Sequence, residues 1–237
     1  MKKQKIRRSK YSFQRPPEPE RFDPVPPKGG TARYFFLLKN YWWKLIGLNL
    51  IYTVFCIPMF TIPAATAGLM RVLTELWTKG YSFFWDDFID EFRQEFPMRM
   101  LLWFGLQCVP TALWFIGNKT GSITVAFWLP LLVEGLLILF DGYWFVQLAH
   151  LTAPSFTAFK NAFLMIFINA KETGLLVLVS ALFYGAAYLL APVSYVLAAF
   201  CGFVLENLAV CAIVMPAVTK YLVKPESTTD PDTPAAP

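Results

Sequence analysis

The stretch VSYVLAAFCGFVLENLAVCAIVMPAV, residues 193–218, carries one charged side chain, Glu206, in a run long enough to cross a bilayer. A transmembrane helix needs about 20 predominantly apolar residues to cover about 30 Å of hydrocarbon. Earlier in the chain, Leu101–Ile116, Val125–Phe140 and Leu175–Leu190 read the same way. Only 16% of the chain is charged and 56% is hydrophobic, against roughly 25% charged in soluble domains. A soluble fold would therefore lack the polar residues to cover its surface. The expected fold is all-α: a polytopic transmembrane helical bundle of six spans, arranged as three hairpins with cytoplasmic amphipathic helices.

The span count turns on Ala64–Thr78, which contains Arg71 and Glu75. If it stays outside the bilayer, five spans result and Lys plus Arg divide 13 inside to 8 outside. If it returns through the membrane after a turn at Pro58–Pro63, six spans result and all basic residues except Lys119 lie inside, 20 against 1. Basic residues in short loops set orientation, which favours six spans with both termini cytoplasmic in the cell membrane. Arg71 and Glu75, one turn apart on one face, can partly neutralise each other or reach an aqueous cavity.

No cleavable leader is expected, since the first apolar run begins near Leu45. Residues 1–32, with PPEPE and DPVPPKGG, and residues 223–237, ending STTDPDTPAAP, are too polar and proline-rich to order themselves. They read as tails around a transmembrane domain at 33–222. The net charge of +5 and the opening MKKQKIRRSK hold the N-terminus against anionic cytoplasmic lipid; no nucleic acid is implied. Cys56, Cys108, Cys201 and Cys211 lie in apolar runs without CxxC spacing, and His150 is the single histidine. They read as buried free thiols, and no metal or cofactor is expected.

A weak repeat, hydrophobic–basic–amide, occurs at Leu38-Lys39-Asn40, Phe92-Arg93-Gln94 and Phe159-Lys160-Asn161, each ahead of an expected hairpin. Around the middle copy, Phe84, Phe88, Phe92 and Phe96 recur at helical spacing, flanked by Asp86, Asp87, Asp90, Glu91 and Glu95. An acidic face is disfavoured beside anionic lipid. The helix either turns that face to water or meets a basic protein partner, with Asp86, Asp87, Asp90, Glu91, Phe88 and Phe92 as the docking candidates.

Inside the spans, Glu134 and Asp141 share a helix face seven residues apart, a rise of about 10 Å, and Glu206 falls at a depth similar to Glu134. An ionised carboxylate at the bilayer centre costs several kcal/mol unless paired, hydrated or protonated. Glu134, Asp141, Glu206, Arg71 and Asn49 are therefore the candidate intramembrane polar site, with Gln107 and Asn207 as further lining. It would bind a cation, a proton or a hydroxyl-rich solute; alternatively Arg71 and interhelical hydrogen bonds satisfy the acids with no ligand. No GxSxG, phosphate-cradling glycine loop or HExxH is present, so a non-enzymatic role is expected.

Trp43 to Asn49 and the turn Thr61-Ile62-Pro63-Ala64-Ala65-Thr66-Ala67 resemble the opening signature of the YesL-like family of bacterial membrane proteins. There an LN pair precedes an apolar run, a proline and a TIGPATAAL-like turn; here the turn reads TIPAATAGL, without that glycine. Phe84–Phe96 and Lys160-Asn161-Ala162-Phe163 with Asn169 are similar to further segments of the family. The resemblance implies a small bacterial membrane protein of unassigned activity, often encoded beside carbohydrate ABC importers, and supplies no catalytic residues. The expected role is an accessory that docks on transporter permease subunits or on itself; the alternative is a small transporter or solute-binding protein using the intramembrane acids.

Overall fold

Proline and glycine set the helix boundaries. The first helix, α1 (Gly30–Cys56), stops where Pro58 restricts the residue before it. A 3-10 turn, Met59–Thr61, follows, and the Thr61 hydroxyl donates to Phe55 O and Pro58 O. Pro63 occupies the first turn of α2 (Ile62–Lys79), where its missing N–H costs nothing. Gly80, at φ +83°, ends α2 in the left-handed conformation with its N–H on Leu76 O.

The computed structural model describes residue 27, residues 30–151 and residues 154–222. Over these residues the protein is all-helical. After α2 come α3 (Phe84–Arg93), α4 (Phe96–Thr120), α5 (Leu129–His150), α6 (Ser155–Ile168), α7 (Ala170–Leu189), α8 (Val193–Leu197) and α9 (Phe203–Leu222), with π-helical turns at Thr124–Trp128 and Ala198–Gly202. The expected tails, 1–32 and 223–237, lie outside the described residues apart from residue 27 and the residues from Gly30 on, which open α1.

Among the described residues, four segments are long and apolar enough to cross a membrane: Phe96–Thr120, Thr124–His150, Ala170–Leu189 and Ala198–Leu222. Only 11% to 33% of each apolar window is buried within the protein. Water would penalise so much exposed hydrocarbon and a bilayer would not, which makes the arrangement compatible with a membrane-embedded helical bundle.

The weakly hydrophobic α2 is the centre of that bundle. It packs against α1, α3, α4, α5 and α9, and most of its residues are buried. Its small residues permit this: a Cβ on Gly68 would stand 2.8 Å from the carbonyl oxygen of Phe88, so only glycine lets α3 lie this close. α5 is the second organiser, buried from Leu139 to Ala149 except for the half-buried Asp141, but open toward Leu129. Its Tyr143 hydroxyl meets Thr173 of α7 at 3.0 Å, and its Gly142 stands between Val210 of α9 and Leu176 of α7.

The three repeat copies take different forms. Lys39 and Asn40 sit inside an unbroken α1, whereas Arg93 closes α3 and Lys160 lies mid-way along the separate helix α6. The expected burial of the four thiols is also corrected: all are free, but Cys108 is exposed and Cys56 and Cys201 are half-buried. Cys211 alone is fully enclosed, 3.8 Å from the Thr74 hydroxyl.

Candidate functional site

Asp141 enters the bundle from α5 at the level where α5 becomes tightly packed. One carboxylate oxygen, Oδ2, accepts the Trp103 indole N–H of α4 at 3.1 Å. The other, Oδ1, is buried with no hydrogen-bond partner among the described residues. A buried acceptor without a partner is costly, of order 1–3 kcal/mol.

Glu134 stands two turns earlier on the same face of α5, half-buried and within electrostatic range of Asp141. Glu206, half-buried near the start of α9, interacts with the Tyr184 side chain of α7. Tyr184 is also within electrostatic range of Asp141 and Glu134. Of the three acids expected from the sequence, Glu206 is the one that bonds Tyr184, while Glu134 and Asp141 act on it only through their charge. Tyr184 is not among the residues the sequence singles out: it is exposed, and the same helix also carries Tyr188 and Ser180. Among the described residues no three His, Cys, Asp or Glu side chains converge tightly enough to hold a metal ion. The carboxylates form a strip of separated acceptors, not a cage.

Arg71 does not join them. Its guanidinium donates to Ala149 O at the end of α5 and pairs with Glu75 at 2.7 Å, while Lys79 binds the other Glu75 oxygen at 2.6 Å. Arg71 therefore serves the α5 C-terminus, where carbonyls lack intrahelical donors, and an ion ladder along α2. Asn49 is also reassigned. Fully buried on α1, it donates to Ala198 O at 3.1 Å and Ala199 O at 2.6 Å, and accepts from Val204 N at 2.9 Å. A π turn leaves its backbone groups irregularly paired, and one amide side chain bridges them. Its hydrogen-bonding capacity is taken up by the fold. Asn207 bonds its own helix at Phe203 O.

The acidic helix is corrected most. Asp87, Phe88 and Glu91 are buried, and Phe92 packs against the core. Asp87 Oδ2 accepts from Phe83 N at 2.9 Å and from the Ser82 hydroxyl at 2.8 Å, fixing the start of α3. Glu91 pairs with Arg99 of α4, which also donates to Glu91 O at 2.7 Å and reaches Ser155 Oγ at 3.4 Å. Ser155 N donates to Glu95 Oε2 at 2.8 Å, and its carbonyl accepts the Trp144 indole N–H at 3.2 Å. These residues face inward, so they form no docking surface; of the acids expected there, Asp86 is exposed and Asp90 half-buried.

No family model, curated protein or solved structure matches the chain.

Proposed function

We propose that the protein binds a hydroxyl-rich solute or protons within the membrane, through the acceptor strip of Glu134, Asp141 and Glu206 with Tyr184. The observation that carries this reading is the unpartnered Asp141 Oδ1, buried on α5 with the half-buried Glu134 two turns away on the same face. Acceptors spread over about 10 Å of helix rise suit several hydroxyl donors on one solute better than a single cation. In the topology that goes with this reading, α1 and α2, α4 and α5, and α7 and α9 form three hairpins of six spans, with both termini cytoplasmic. Contacts within each of those pairs support it.

The test is a thermal-stability screen of the purified protein against sugars, polyols and pH. A ligand at 100 times its Kd raises stability by about 2.7 kcal/mol. The shift should appear for a hydroxyl-rich solute and vanish in Glu134→Gln and Glu206→Gln; equal shifts in the variants would reject the site. A second reading, an accessory of a carbohydrate ABC importer, is favoured by the exposed pair Trp85 and Asp86 on α3. Co-purification of permease subunits, lost on Trp85→Ala, would support it.

A further inference from the structure

A groove of about 710 Å3 runs between α4, α5 and α6 on the bundle's outer surface. Its walls include Leu106, Leu136, Leu137, Phe140 and Phe163, and it has one charged lining residue, Lys160. The volume lies in the roughly 300–1,000 Å3 range of small-molecule and cofactor sites. Such sites carry several placed polar groups for orientation, whereas here a single cation stands against hydrocarbon. The Lys160 side chain is exposed, and its ammonium lies 5.0 Å from the Phe156 ring centroid. Lysine at a membrane surface keeps its stem on apolar groups and its charge at the headgroups.

The surroundings point the same way. α4 and α5 are two of the segments able to cross a membrane. α6 is apolar yet only 14 residues long, too short to span, and it exposes Phe156, Phe163, Leu164 and Phe167. Too short to cross, with its exposed phenylalanines and leucine drawn to hydrocarbon and Lys160 reaching to the headgroups, α6 puts the groove in hydrocarbon and Lys160 at phosphate level. We propose that this groove is a binding site for an anionic phospholipid, one acyl chain lying between α4, α5 and α6 and the phosphate resting on Lys160. The site is separate from the carboxylate strip and does not depend on it.

The test is native mass spectrometry of the full chain released from nanodiscs holding equal phosphatidylglycerol and phosphatidylcholine with identical acyl chains. One lysine near an anionic surface is worth about 1 kcal/mol, close to a fivefold preference. Wild type should retain phosphatidylglycerol over phosphatidylcholine by about that factor, and Lys160→Gln should bring the two near parity. Leu136→Trp, which fills the groove, should reduce retention of both lipids; Leu164→Trp, on the opposite wall, gives the same readout where the first variant does not fold. Parity in the wild type, a preference untouched by Lys160→Gln, or lipid retention unchanged by both tryptophans would overturn the proposal. So would a dimer that dissociates when the groove is filled, because a second copy would then be its occupant.

Discussion

Replacing Arg99 by Met tests the least expected feature of the structure, the ionic network that fastens α3 to α4. Arg99 is 1% exposed and its partner Glu91 is 6% exposed, so neither charge has much access to solvent. Removing the cation strands the Glu91 carboxylate, and breaking a buried pair in this way costs about 3–5 kcal/mol. The Ser155 contact, at 3.4 Å, adds little. The Glu91 carbonyl keeps a donor after the change, because Gln94 N reaches it at 3.2 Å. The carboxylate therefore dominates the cost. Removing it as well, in Glu91→Leu with Arg99→Met, leaves two apolar side chains, an exchange that is often neutral or stabilising by about 1–4 kcal/mol in buried pairs. The assay is reversible unfolding in mixed micelles followed by tryptophan fluorescence, on wild type, both single variants and the double variant. The double variant should be more stable than Arg99→Met alone, with a coupling of about 2–3 kcal/mol. An Arg99→Met cost under about 1 kcal/mol, or single-variant costs that sum to the double, would show that the pair is solvated and that α3 is not fastened to the bundle as described.

Three further outcomes are expected. Gly68→Ala should destabilise by roughly 1–3 kcal/mol, because its Cβ meets a backbone oxygen of Phe88; Gly142→Ala, whose Cβ meets only side-chain atoms of Val210 and Leu176 at 3.1 and 3.3 Å, should cost less, and the reverse order in an unfolding titration would contradict the α2–α3 packing. Asn49→Leu should cost at least about 2 kcal/mol by leaving buried backbone groups of the π turn unpaired, and a loss under half of that in the same titration would count against Asn49 as their bridge. For the six-span topology, on a background lacking the native thiols, Phe60→Cys should react with an impermeant maleimide from outside and Thr228→Cys only after the cells are opened. Labelling of Thr228→Cys in intact cells would reject it.

How much of this was legible in the sequence differs from helix to helix, and the differences have physical causes. The α4, α5, α7 and α9 segments announce themselves because lipid-facing helices are apolar nearly all round, and hydropathy measures that directly. α2 gives a weak signal because it is enclosed by protein: its alanines and Gly68 are selected for close approach, not for transfer into lipid. The acidic helix misleads for a related reason. Phe84, Phe88 and Phe92 at i, i+4 spacing read as an apolar stripe with acids beside it, yet Asp87 and Glu91 lie next to that stripe and turn inward with it. Their partners could not be read from α3 alone. Arg99 becomes available to Glu91 only because the chain breaks at Gln94 and Glu95, where Glu95 adopts φ +48°, a conformation that no residue pattern here foretells in a non-glycine residue. The carboxylate strip shows the same limit from the other side. Charge in an apolar run exposes Glu134, Asp141 and Glu206 individually, while the pairing of Glu206 with Tyr184 depends on which faces of α7 and α9 meet. Gly142 lies at that junction, where an added Cβ would stand 3.1 Å from Val210 of α9 and 3.3 Å from Leu176 of α7. A larger side chain at 142 should therefore disturb the acidic strip as well as packing, so ligand response in Gly142→Val should fall even where the protein still folds.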